Sequence, residues 1–89
     1  MTAKILIGAL AAASLAGTAY AGGDVEVGKA KFDEICEECH YDDDFSGESA
    51  DDIAGMIQAI VDGETDHKGD IAGLTAEEIA GLAAFYASK

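Results

Sequence analysis

Apolar positions along the chain fall into one unbroken block followed by three helical stripes. From Ile5 to Ala19 no charge interrupts a run rich in Ala, Leu and Ile. After Asp24 the apolar residues recur three and four apart, the helical period. Val25, Gly28, Phe32, Ile35, Cys36 and Cys39 keep that spacing and predict a first helix from about Val25 to Cys39, with Asp24 as its N-cap. Gly28 costs such a helix about 1 kcal/mol relative to Ala, a cost that close approach of another helix would explain. Ile53, Met56, Ile57 and Ile60 form the apolar face of a second helix that starts near Ser49. Ser49 and Asp52 have the spacing of a capping box, and Gly63 suits the left-handed residue that closes a helix. The third helix opens at Thr75 and Glu78, a second capping box, with Leu74 placed to staple against Ile79. Ile79, Leu82, Ala83 and Tyr86 make its stripe, with Phe85 beside it. Two polar loops separate these helices: 41–48, which holds Phe45, and 64–73, which holds His67. No segment alternates with the period of a strand, so the expected class is all-α, with three main helices.

The first block reads differently. Lys4 precedes it and Ala19-Tyr20-Ala21 ends it, which is the pattern of a secretory signal peptide with a small-x-small cleavage site. A membrane-spanning reading is weaker, because Gly8, Ser14, Gly17 and Thr18 break a run already short for a bilayer. The expected organisation is therefore a signal over residues 1–21, cleaved after Ala21, and one exported domain over residues 22–89. A domain this small rarely buries enough apolar surface to offset the entropy of ordering itself. It has no Trp or Pro and only three Phe. Something besides side chains is expected to complete its core.

Charge narrows the partners. Five basic residues stand against eighteen acidic ones, a net charge of −13, and loss of Lys4 with the signal makes the exported chain more acidic still. Phosphate backbones and anionic membrane surfaces would repel it. The acidity is consistent with a docking face for basic partners, and equally with solubility or adaptation to high salt.

The two cysteines stand in Cys36-Glu37-Glu38-Cys39-His40. Three chemistries use this pattern: covalent attachment of a c-type haem, a redox dithiol, and part of a metal site. A redox dithiol belongs at the head of a helix after a strand, and no strand is predicted before Cys36. A zinc site needs four ligands, which Cys36, Cys39, His40 and His67 could supply. Haem attachment fits best. On one helical turn, residues three and four apart share a face, so two thiols can reach one porphyrin edge while His40 ligates the iron from the same side. Such attachment follows export, in agreement with the signal.

Beyond this motif the exported region resembles a class I cytochrome c over almost its whole length. Gly28 and Phe32 before the haem motif resemble that family's N-terminal helix. Ile71 through Ala80, continuing to Phe85-Tyr86, resembles its C-terminal helix, and Ile53 to Gly63 the helix between. The resemblance implies three helices wrapped around one covalent haem, with the terminal helices crossing glycine against aromatic, Gly28 and Phe32 on Leu82 and Phe85. It also implies a second axial ligand, normally a Met in the loop before the last helix. No Met stands there. His67, seven residues before Leu74, occupies the corresponding place and is the expected ligand opposite His40. Met56, set in the stripe of the second helix and expected to pack there, is the lesser alternative. Lys68 or an open sixth position are others.

The expected function is that of a periplasmic electron carrier: one haem c held by Cys36 and Cys39, iron ligated by His40 and His67, and a low potential because imidazole replaces thioether. It is expected to act as a monomeric, non-enzymatic shuttle between redox proteins, without nucleic acid and without stable membrane insertion once the signal is removed. A haem relay subunit of a larger oxidoreductase, or a gas-binding haem sensor with an open sixth site, are the rival readings.

Overall fold

The computed structural model describes residues 23–89. The export signal expected over residues 1–21 lies outside the described residues. Among the described residues there are three α-helices and no strand: α1, Val25–Lys31; α2, Ala50–Val61; and α3, Ala76–Ala87. This meets the all-helical expectation.

The helices begin and end where local chemistry directs. Asp24 Oδ1 accepts the Glu26 N–H at 2.9 Å. Ser49 Oγ accepts the Asp52 N–H at 3.1 Å. Thr75 and Glu78 form the full reciprocal box: Thr75 Oγ1 accepts from the Glu78 N–H at 3.2 Å, and Glu78 Oε1 accepts from the Thr75 N–H at 2.9 Å. Caps of this kind are worth about 1 kcal/mol each. At the end of α2, Gly63 takes a φ of 80°. Its N–H donates to the Ile60 carbonyl and that of Glu64 to the Ala59 carbonyl, the paired bonds of a Schellman motif.

α3 is the central element, with α1 packed against one part of it and α2 against another. Its expected stripe is accordingly buried nearly all round: Ile79, Ala80, Gly81, Leu82, Ala83, Phe85 and Tyr86 are all inside. On the α1 side the approach is backbone against backbone. A Cβ on Gly28 would overlap the Gly81 carbonyl and lie 2.8 Å from Phe85 Cβ, while a Cβ on Gly81 would lie 2.9 Å from the Gly28 nitrogen. The glycine that weakens α1 in isolation thus permits the contact that holds it. Beside this crossing the Phe32 ring sits 5.2 Å from that of Phe85 and 5.7 Å from that of Tyr86. The expected pairing of Gly28 and Phe32 with Phe85 is present, and Gly81 is an addition to it.

Two segments differ from the sequence reading. The first helix does not run uniformly to Cys39. From Phe32 to Cys36 it widens into a π-helical turn, with the Glu37 N–H donating to the Phe32 carbonyl five residues back at 2.9 Å. The extra residue in the turn changes the rotation between Phe32 and Cys36. Phe32 is buried in the core, whereas Cys36 faces a cavity. The second difference is the face of α2. Ile53 and Ala54 are buried, but Ile57 and Ile60 are only partly covered and Met56 is 42% exposed. Met56 does not pack in the core as expected. The lower part of this stripe is a wall of the same cavity.

Candidate functional site

The cavity measures about 840 Å³ and lies between the π-turn, α2, α3 and the two long loops. That volume falls within the about 300–1,000 Å³ typical of small-molecule and cofactor sites. Ile35, Phe45, Ile53, Met56, Ile57, Ile60, Ile71, Leu74, Leu82 and Tyr86 supply apolar walls. Cys36, Cys39, His40 and His67 stand in the same lining. All four residues singled out by the sequence are therefore brought to one site.

His40 is placed by the turn that follows the π-segment. Its N–H donates to the Cys36 carbonyl at 2.9 Å, which makes Cys36 to His40 one α-type turn, as the motif's spacing required. His67 arrives from the opposite loop. That loop starts at the Schellman motif, tightens where Asp70 Oδ1 accepts the Ala72 N–H at 3.1 Å, and ends at the Thr75 cap. Though more than twenty residues apart, the two imidazoles lie nearly parallel: their centroids are 6.2 Å apart and their planes 10° apart. A metal held in line between the two rings, with metal–nitrogen bonds of about 2 Å and a ring radius of about 1.1 Å, would set their centroids about 6.2 Å apart.

The remaining ring nitrogens are also accounted for. His67 Nδ1 lies 2.7 Å from the Gly69 carbonyl oxygen. A carbonyl only accepts, so Nδ1 carries a proton, and in the neutral ring that tautomer leaves the Nε2 lone pair for a metal. His40 Nδ1 lies 3.1 Å from Asp44 Oδ2, and an ionised carboxylate imposes the same tautomer. Both histidines thus have the polar support that metal-binding imidazoles ordinarily receive. Asp44 was not singled out in the sequence as that support. The available signal was its position four residues after His40.

Cys36 is half-buried, Cys39 is exposed, and neither is in a disulfide. Burial pushes the Cys36 thiol up from its ordinary value, opposed in part by a hydrogen bond from the Tyr86 hydroxyl. The Tyr86 phenol is itself pushed up, by burial first and then by Cys36. A redox dithiol needs a thiol whose pKa is lowered, so this environment disfavours that reading. Among the described residues no three His, Cys, Asp or Glu side chains form a group that could hold a metal ion. The cavity, the paired imidazoles and the two wall thiols instead fit the haem expected from the attachment motif. Those residues could hold it as two covalent anchors and two axial ligands.

The other candidates take lesser places. Met56 and Lys68 both line the cavity, Met56 from α2 and Lys68 beside His67. Phe45 packs edge-on against Tyr86, with centroids 4.9 Å apart, and lies 5.8 Å from the His40 ring. Among the described residues no helix is long and apolar enough to cross a membrane. Comparison with protein-family models, with curated proteins and with solved structures finds no match, so the site stands on its own geometry.

Proposed function

We propose that this chain is an exported, periplasmic carrier of single electrons that holds one covalent haem c, bonded through thioethers at Cys36 and Cys39, with His40 and His67 as axial iron ligands. One observation carries the reading: the Cys36-x-x-Cys39-His40 turn lies on the wall of an apolar cavity, and a second imidazole stands parallel to the first at the separation a shared metal requires. When bound, the haem supplies a one-electron couple between ferric and ferrous iron.

The chain's own residues determine how that couple is used. Two histidine ligands leave no axial position for oxygen or a substrate, which favours outer-sphere transfer over catalysis. The Nδ1 hydrogen bonds to Asp44 and Gly69 fix both rings, so little reorganisation accompanies a change of oxidation state. Ile53, Leu82 and Tyr86 keep water from the inner wall. Replacing the usual thioether by imidazole lowers the potential. Asp51 and Asp52 line the cavity, and Glu37, Glu38, Asp42 and Asp43 adjoin the attachment turn. This acidic surround favours basic redox proteins as partners and makes the transfer rate fall as salt rises. A rate independent of ionic strength would count against such docking.

Absorption spectra of the purified protein test the ligation. Low-spin spectra in both oxidation states, without the far-red band of methionine ligation, are expected, and His67→Ala should convert them to high-spin. A His67→Ala protein with unchanged spectra would sink the assignment of His67.

A further inference from the structure

We infer that Asp44 sets the donor strength of His40 and thereby makes the two axial imidazoles chemically unequal, holding the haem potential below what two neutral histidines would give. The inference rests on the bis-histidine haem reading above and deepens it. Asp44 Oδ2 accepts two bonds, from His40 Nδ1 at 3.1 Å and from the Tyr41 backbone N–H at 3.0 Å. The second bond, with the Asp44 N–H donating to the Tyr41 carbonyl at 3.2 Å, ties the carboxylate into its own turn. Its position under His40 is therefore set by the backbone and not by the histidine alone. Both side chains are about one-third exposed, so neither is fully screened by solvent.

His67 presents the contrast. Its Nδ1 donates to a neutral carbonyl, that of Gly69, at 2.7 Å. A carboxylate acceptor raises the basicity of a metal-binding imidazole more than a carbonyl does, because it draws the Nδ1 proton with a full negative charge. A more basic ligand stabilises ferric iron over ferrous, and a nearby negative charge acts in the same direction. Hydrogen bonding to the ligand is one of the recognised controls on haem potential. Asp44 is thus a positioning residue that acts through His40, and the acidic run 42–44 is not uniform: Asp44 faces the ligand, whereas Asp42 lies 3.7 Å from the Lys89 ammonium.

The test compares holoprotein of the wild type with Asp44→Asn and Asp44→Glu. Asn keeps an acceptor for His40 and for Tyr41 and removes only the charge. Redox titration should give a midpoint higher for Asp44→Asn than for the wild type, with Asp44→Glu returning toward the wild-type value, while all three remain low-spin. An Asp44→Asn midpoint equal to that of the wild type overturns the inference and leaves the bis-histidine reading standing. A wild type without low-spin covalent haem overturns both. Electron paramagnetic resonance of the ferric wild type needs no variant. Anionic character on one imidazole should compress the spread of its low-spin g values relative to a neutral bis-imidazole haem with parallel rings. A spread equal to that reference would overturn the inference.

Discussion

The α1–α3 seam and the α2 side of the molecule are built on opposite principles. At the seam, Gly28 and Gly81 bring two backbones together and Phe32, Phe85 and Tyr86 close over the contact. Nothing there is missing. On the α2 side, Met56, Ile57, Ile60, Ile71 and Leu74 line an 840 Å³ cavity and are only partly covered. Apolar residues left in that state gain little from folding unless something apolar fills the space. One region is closed by its own side chains; the other leaves apolar walls around an open cavity, the space that the proposed haem would fill. A domain too small to stabilise itself can reach stability in this divided way.

The largest expected effect breaks the comparison at its source. Replacing both Cys36 and Cys39 by Ser should abolish covalent haem. Amide hydrogen exchange should then quicken most in α2 and in residues 62–74 and least in the α1–α3 seam. Equal quickening throughout would show that the two regions are not built differently.

Next come two glycines. Gly28→Ala should destabilise the protein by about 1–3 kcal/mol, the range of overpacking in a closed interface. Gly55 in α2 lines the cavity, with nothing within 4 Å of an added Cβ. Gly55→Ala should stabilise the haem-free protein by about 0.5–1 kcal/mol through helix propensity. Chemical denaturation of both variants checks the pair, and a stabilised Gly28→Ala would refute the seam as described.

The smallest effect concerns the polar edge of the seam. Lys31 Nζ lies 3.1 Å from Glu34 Oε1 and 3.1 Å from Glu78 Oε2, and so joins α1 to the α3 cap. The Thr75 backbone N–H, and then Lys31, hold the Glu78 carboxyl below the ordinary carboxylate value. Its contribution is present above that ordinary value and is lost as pH falls through the lowered one. Glu34, and then Glu78, hold the Lys31 ammonium above the ordinary lysine value. That contribution is present below the ordinary value and is lost as pH rises through the raised one. Both therefore act across neutral pH. Glu78→Gln should make the melting temperature fall less steeply on the acid side, by a small amount because the pair is near solvent. An acid limb as steep as that of the wild type would remove this link.

The same contrast explains what the sequence could reveal. Caps depend on residues two or three apart, so Asp24, Ser49, Thr75 with Glu78, and Gly63 were all legible. The turn from Cys36 to His40 was legible for the same reason. Gly81 was not, because a helical stripe does not tell which small residue another backbone will touch. The π-turn was hidden too: Phe32 to Cys36 fits an α-helical stripe, and the widening reflects two destinations, core and cavity, known only in three dimensions. Periodicity marked Met56 as apolar-facing without distinguishing a packed core from a cavity wall. His67 drew notice through its place before Leu74, but its parallel alignment with His40 depends on the folding of a polar loop. Asp44 lies in the polar loop 41–48, and only its spacing of four residues from His40 hinted at the contact.

The most direct test of the central claim is the intact mass of the protein exported by a host able to attach c-type haem. The expected mass is that of residues 22–89 plus one haem, retained after denaturation, with neither Cys36 nor Cys39 open to alkylation. A mass equal to the chain alone, with two alkylatable thiols, would contradict the account.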